Sequence, residues 1–454
     1  MSRLLFTTLP SNDLGLLARA LPVAVELAQH RHTIAFCSPS PAPRKLIAEA
    51  GFDNLSLKHP MYAVIAETLD WQGARRILRL ARRDFGGVLN FARQTIRALP
   101  KFAPGTPEVW NLDHFAALSG FLSEAFVRAS CDALITLLDE YRADVIIDAW
   151  NPFACIAARV VRKPLVTLIQ ADVHPASRGF IWWKDPPPDL PTAVPAVNRV
   201  LAAYHLPPIS TMGELFVGDL TLVLGMPETD PLPEQANATY IGPIVWQNLN
   251  VQLPSWFDEL RNDKPVVWVY SGNPRYLPVG SFWADSSVLI RACIDALADE
   301  DVQVVLTTGH HALPKEFVPL PDNFRHVPFV PGLAMAKRSD VLIHHGGYGS
   351  CQIGLCTGTP AVIIPTYSER ESNARRVAAV GAGEFIVPIE SARHKKHVCV
   401  DELRAKVKQV LADPAYTANA RRISDKMQTY GGAAEASRLI EDLARETSEP
   451  QRSS

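Results

Sequence analysis

Apolar residues along this chain come in short runs, each ending at a polar tip and followed by a stretch with helical spacing. "RLLFTTLP" is such a run, then the turn "SND", then apolar residues at helical intervals over about 15–30, then "HTIAFCS". The second half repeats the order with "PVVWVYSGN", a helical stretch around 283–299 and "VQVVLTTG". Strands alternating with helices predict βαβ units on parallel sheets. "RADVIIDAW" at 142–150 and "RSDVLIHHG" at 338–346 share a polar-Asp-apolar pattern ending at a polar tip. Both correspondences predict an α/β chain of two Rossmann-like domains facing each other. The expected division is 1–225 for the first domain, 226–264 for a proline-bearing linker and 265–425 for the second. Residues 426–454 read as a helix crossing back and a disordered tail. Ligands of open α/β sheets bind at the carboxyl ends of strands, which draws attention to Asp148 and to His344-His345.

The alternation breaks over 60–130. This region reads as helices carrying Trp71, Phe85, Phe91, Trp110, Phe115, Phe121 and Phe126, either as core or as the wall of an apolar pocket. Arg75, Arg76, Arg79, Arg82 and Arg83 fall along one helical side. A solvated face is the plainer reading, and contact with an anionic membrane surface the sharper one.

Composition narrows the classes. With 47% hydrophobic and 20% charged residues, the chain is patterned as a soluble globular protein. A formal net charge of -2 gives no pull toward nucleic acid. Seven cysteines without a C-x-x-C pair suggest reduced thiols, and no leader or spanning run is apparent, so a cytoplasmic protein is expected. No cluster with metal-ligand spacing stands out.

The most informative stretch is "HHGGYGSCQIGLCTGTP" at 344–360. It reads as a strand entering glycines and then a short helix, with Ser350 as N-cap and Gly358 as terminator. Gly346, Gly347 and Gly349 let the backbone approach a ligand closely. The helix N-terminus turns free N–H groups and a positive dipole end to the same place, where His345 adds a hydrogen bond. A diphosphate fits this set; a tight turn that only packs strand on helix is the alternative.

The longer run "HGGYGSCQIGLCTGTPAVIIPTYSERESNARRVAAVGAG" resembles the donor-binding signature of nucleotide-sugar glycosyltransferases of the GT-B fold, the UDP-glycosyltransferase superfamily. His345-Gly346-Gly347, Ser350, Gly358-Thr359-Pro360, Pro365, Glu369-Arg370, Asn373-Ala374 and Gly381-Ala382-Gly383 carry the likeness. Upstream, "VPFVPG" resembles the segment whose aromatic residue stacks on the donor base, with Phe329 in that place. "YSGNPRY" resembles the loop facing the diphosphate, with Ser271 and Asn273 as hydrogen-bonding groups.

The resemblance implies an inverting sugar transfer from a UDP- or TDP-sugar to a hydroxyl of a small apolar acceptor, with no permanently bound cofactor and no metal. His345, Ser350 and the backbone at Gly347 and Gly349 would hold the diphosphate, and Glu369 and Arg370 would face the sugar. Ile353 stands where the family usually has a ribose-binding Glu, and Arg370 where it usually has Gln. Leu16 takes the place of the usual catalytic His. Asp13, Asp148 and His174 are the candidate replacement bases, in that order. A non-catalytic binding protein of the same fold, and after it an epimerase of sugar nucleotides, are the rival readings.

Overall fold

The computed structural model describes residues 1–9, 14–57, 99–103, 108–246, 254–272, 286–390 and 396–448. Between 58 and 98 it describes only Arg79, Arg82, Arg83, Phe85, Gly86, Leu89, Arg93 and Ile96. Trp71, Phe91, Arg75 and Arg76 therefore lie outside the described residues.

Two parallel sheets organise the chain. The first joins β1 (Arg3–Thr8), β2 (Thr33–Cys37), β3 (Asp53–Asn54), β4 (Val145–Ala149), β5 (Leu165–Ile169), β6 (Leu220–Val223) and β7 (Thr239–Tyr240). Their spatial order is β3-β2-β1-β4-β5-β6-β7. The second joins β8 (Val266–Tyr270), β9 (Gln303–Thr307), β10 (Phe324–Val327), β11 (Val341–His344), β12 (Ala361–Ile363) and β13 (Gly383–Phe385) in the order β10-β9-β8-β11-β12-β13. The two orders coincide over six strands. β4 is fully buried along its length, as is β11. Burial on both faces is why these strands read as continuous apolar runs rather than alternating ones. In each sheet the order reverses beside the first strand. Thr7 is there in register with Asp148, and Tyr270 with His344.

The helices predicted at about 15–30 and 283–299 are Leu17–Gln29 and Ser286–Leu297. β7 lies within the expected linker and pairs with β6 through Leu222 and Thr239. Backbone pairing thus carries the first sheet past residue 225. Of the aromatics over 60–130, Trp110, Phe121 and Phe126 are buried, whereas Phe85 is 72% exposed. Phe121 stacks on Phe153 at 4.6 Å between centroids, and Phe126 meets the same ring edge-on at 5.5 Å. Arg79, Arg82 and Arg83 are exposed.

The helix Gly432–Ser448 lies against Leu17–Gln29. Ala436, Ile440 and Ala444, four residues apart, are buried in one cluster with Leu17, Leu21 and Leu27. Their spacing makes a single apolar stripe. Glu441 caps the contact, 2.7 Å from His30 Nδ1 and 3.0 Å from His32 Nε2. No helix among the described residues is long and apolar enough to cross a membrane.

Ile440 is fully buried, so Ile440→Ala is expected to destabilise the protein by about 2–5 kcal/mol. Urea unfolding followed by circular dichroism measures this, and a midpoint equal to wild type would contradict the docking.

Candidate functional site

The second sheet's switch point lies between β8 and β11, and the chain leaves β11 there through His345, Gly346 and Gly347. The His345 ring fits between two glycines. A Cβ on Gly272 would stand 2.6 Å from its Cε1, and one on Gly347 2.4 Å from its Nε2. Gly272 also has φ +82°, which side chains rarely adopt. Tyr270 meets the imidazole edge-on at 5.8 Å. Burial drives the His345 pKa well below its ordinary value, helped by the Arg370 charge and by His344 and opposed by the Tyr270 backbone. The ring is therefore neutral, and its buried Nδ1 has no hydrogen-bond partner. A buried polar atom left in that state is one a ligand can satisfy. The neighbouring His344 is fully buried and instead serves the turn, its Nδ1 accepting from the Gly346 N–H at 3.1 Å.

The following helix spans Tyr348–Thr357, with Gly347 at its N-cap and Gly358, at φ 69°, ending it. Ser350 is thus inside the first turn and does not cap it. The cap position falls three residues earlier because the Gly347 carbonyl already accepts from the Ser350 and Cys351 N–H groups. Ser350 is buried. Gly349 is exposed, and a Cβ placed on it meets nothing within 4 Å. Open space therefore lies beside the first turn, where helix N–H groups lack partners in the helix.

The helix Ser368–Ala379 closes another side. Asn373 Nδ2 donates to Glu369 Oε1 at 2.8 Å and to the Gly346 carbonyl at 3.0 Å, tying Glu369 to the glycine turn. Burial raises the Glu369 pKa, while the Asn373 bond and Arg370 pull it down. Arg370 donates to Thr366 Oγ1 at 2.9 Å and lies over the Tyr367 ring, with Nε unpartnered. Ser271 is buried near the Thr307 carbonyl. Phe329 is 40% exposed and stacks on His310 at 4.1 Å. Asn273 lies outside the described residues. The second domain thus gathers His345, Gly347, Gly349, Ser350, Glu369 and Arg370 around the turn.

The candidate bases fare differently. Asp13 lies outside the described residues. Asp148 is fully buried and committed to its own sheet. It accepts from Thr7 Oγ1 at 2.5 Å, from the Asn151 N–H at 3.0 Å and from Cys155 Sγ at 3.4 Å. Burial pushes its pKa up to about 7 against those bonds. This geometry corrects the expectation that Asp148 meets an acceptor directly: it ties β1 to the turn after β4. His174 is also buried, with Nδ1 accepting from the Ala176 N–H at 3.1 Å and its pKa lowered by burial. It too is packed into its loop, and the adjacent Asp172 is paired with Arg376. Leu16 packs on the first domain's core.

Above β1 and β4, an apolar cavity is lined by Leu9, Phe115, Phe121, Trp150, Met212 and Phe216. The buried Trp150 Nε1 has no partner in it. Sequence reasoning did not single out Trp150, nor Arg376, nor Tyr348, which donates to the Leu224 carbonyl. Trp150 follows the strand tip directly, and that position was its only signal. Among the described residues, no three His, Cys, Asp or Glu side chains are grouped to hold a metal.

Comparison with known proteins agrees with this geometry. Residues 291–443 match the model of the erythromycin biosynthesis protein CIII-like, C-terminal domain. The chain is 33% identical over 190 residues to the 4'-demethylrebeccamycin synthase of Lentzea aerocolonigenes, covering 42% of this chain and 41% of that one. It is 26% identical over 368 residues to the 3-alpha-mycarosylerythronolide B desosaminyl transferase of Saccharopolyspora erythraea, covering 77% and 82%. Some matches of this kind are partial, so the chain spans about half the length of such curated relatives, 51% and 41% in two cases. A spinosyn rhamnosyltransferase complexed with thymidine diphosphate shares the fold at TM-score 0.63 and 19% identity, covering 97% of this chain and 100% of that one. The chain has the GT-B fold, and its sequence matches are to proteins of the UDP-glycosyltransferase superfamily.

Two consequences are measurable. Gly272→Ala forces a Cβ against the His345 ring at a positive φ, and a loss of about 1–3 kcal/mol in stability is expected; an unchanged melting temperature would contradict the cradle. Asp148 holds its proton to about pH 7 in the folded state, against about 3.9 in an unfolded chain. Its protonation therefore favours folding below the unfolded value, and that contribution is lost as pH rises through about 7. The stability of wild type relative to Asp148→Asn should fall from about pH 4 to 7 and level off above. A difference that is flat with pH would contradict the burial.

Proposed function

We propose that this chain is an inverting glycosyltransferase that moves a sugar from a nucleoside diphosphate to a hydroxyl of a small apolar acceptor. The observation that carries the reading is the His345 ring held between Gly272 and Gly347 at a helix N-terminus, with open space beside Gly349 and an orphan Nδ1. Such a place suits a diphosphate leaving group. In the reaction, the acceptor oxygen forms a bond to the anomeric carbon as the bond to the diphosphate oxygen breaks. The electron pair goes to the diphosphate, where the helix N–H groups, Ser350 and the Arg370 charge meet the developing negative charge. The acceptor's proton goes to a base on the first domain, for which Asp13 is the candidate.

The acceptor would lie against the first domain; the cavity around Phe115, Trp150 and Met212 is apolar but has room for no more than about one water, so it is not itself the acceptor's seat. At the donor's ribose, Ile353 packs against Gly332, its Cδ1 3.1 Å from where a Cβ on that glycine would stand. A 2'-hydroxyl gains no acceptor from this apolar pair, so we propose a TDP-sugar over a UDP-sugar. The rhamnosyltransferase of the same fold is complexed with thymidine diphosphate. Leu16 favours a second reading, a non-catalytic protein that binds a nucleotide or an apolar ligand, because a leucine cannot take the acceptor's proton.

Calorimetric titration separates these readings. TDP is expected to bind more tightly than UDP, and His345→Ala or Ser350→Ala to weaken it by about tenfold or more, equivalent to about 1.4 kcal/mol. Binding of TDP without sugar transfer to any phenolic or polyketide acceptor would favour the non-catalytic reading. No binding of any nucleotide would overturn the donor site.

A further inference from the structure

The helix Ser368–Ala379 has a second face. Ser368, Ser372 and Arg376 are four residues apart and form a stripe beside the one that carries Glu369 and Asn373. This second stripe faces the first domain. The Val109 N–H donates to Ser368 Oγ at 2.8 Å. Trp182 Nε1 donates to Ser372 Oγ at 3.0 Å, and Ser372 Oγ lies 3.4 Å from Asp172 Oδ2. Arg376 pairs with Asp172 Oδ1, and Arg375 lies over the Trp183 ring at 4.2 Å.

The Arg376 contact is charged and dry. Side-chain exposure is 11% for Arg376 and 1% for Asp172. Asp230, on the segment leaving the first sheet, is fully buried and also feels Arg376. Gly225 is shaped around it, since a Cβ there would meet Asp230 Oδ2 at 2.1 Å. Burial raises the pKa of both carboxylates, and Arg376 opposes this in each. The guanidinium thus pairs with Asp172 alone, while its Nε and Nη1 and the Asp230 Oδ1 have no hydrogen-bond partner. Removing it would leave uncompensated charge that regains water only if the domains part.

We propose that Arg376 is a positioning residue: paired with Asp172, and beside the Ser368 and Ser372 contacts, it latches the two domains together through the 368–379 helix, so that the face carrying Glu369 and Asn373 is set against the acceptor side. This rests on the glycosyltransferase reading for its consequence in turnover, but not for the latch itself. The donor's nucleotide contacts belong to the second domain and stay intact without the latch. The acceptor and donor then meet less often in reacting geometry.

The test uses the full chain as Arg376→Met, Arg376→Lys and the triple variant Asp172→Asn/Asp230→Asn/Arg376→Met. The triple variant carries no uncompensated charge and is the one to use if Arg376→Met fails to fold. Small-angle scattering in the presence of TDP should show a larger radius of gyration for Arg376→Met and for the triple variant than for wild type. With a donor and acceptor that wild type uses, kcat should fall by about tenfold in both, while TDP affinity stays within about threefold. Arg376→Lys, which keeps the charge, should recover part of kcat. A triple variant with wild-type scattering overturns the latch, as does wild-type kcat or a loss of TDP affinity parallel to kcat. A wild-type protein that transfers no sugar counts against the glycosyltransferase reading, and the scattering comparison still decides the latch.

Discussion

A parallel sheet buried on both faces leaves its chemistry one place to stand, the carboxyl ends of its strands. This chain builds such a sheet twice with the same strand order. Near its carboxyl end the fourth strand of each carries a polar residue in register with the first strand. In the first sheet that residue is Asp148, and the hydroxyl, amide and thiol around it consume its hydrogen-bonding capacity. In the second, His344 closes the turn through its Nδ1, and His345 beside the helix N-cap has an unpartnered Nδ1 on the Gly272 side. The equivalent strand-end positions, Asp148 and His344, thus serve the framework in both domains, and it is the residue after the second, His345, that keeps an unpartnered ring atom.

The glycine turn alone would be an anion site of a common kind. Its connection to the 368–379 helix makes it specific. Asn373 ties that helix to the Gly346 carbonyl and to Glu369, while Ser368 and Ser372 tie it to the first domain. The glycine turn and the first domain are therefore joined through one helix.

Much of this was legible in the sequence. Long apolar runs with polar tips gave the strands and the two parallel-sheet domains, because burial on both faces leaves little other pattern. The likeness around His345 drew attention to the glycine turn. The helix cap was misplaced because Ser350 has the right chemistry for a cap, but the Gly347 carbonyl begins the helix first. Asp148 and His174 looked like bases because polar residues at strand tips and in loops usually face solvent. Here both are buried: Asp148 among Thr7, Asn151 and Cys155, and His174 with its Nδ1 bonded within its own loop and its Nε2 unpartnered. The Ser368-Ser372-Arg376 stripe was passed over because it is polar, and apolar periodicity reports only faces that bury hydrocarbon. Trp150 and Arg376 gain their meaning from residues distant in sequence, which no local spacing displays.

The most direct measurement of the central claim is amide hydrogen exchange by mass spectrometry with and without TDP. If the diphosphate sits on the helix N-terminus, peptides spanning 345–351 should gain protection on binding, and peptides from the first sheet should gain less. TDP binding that leaves 345–351 unprotected would place the nucleotide elsewhere and contradict the account.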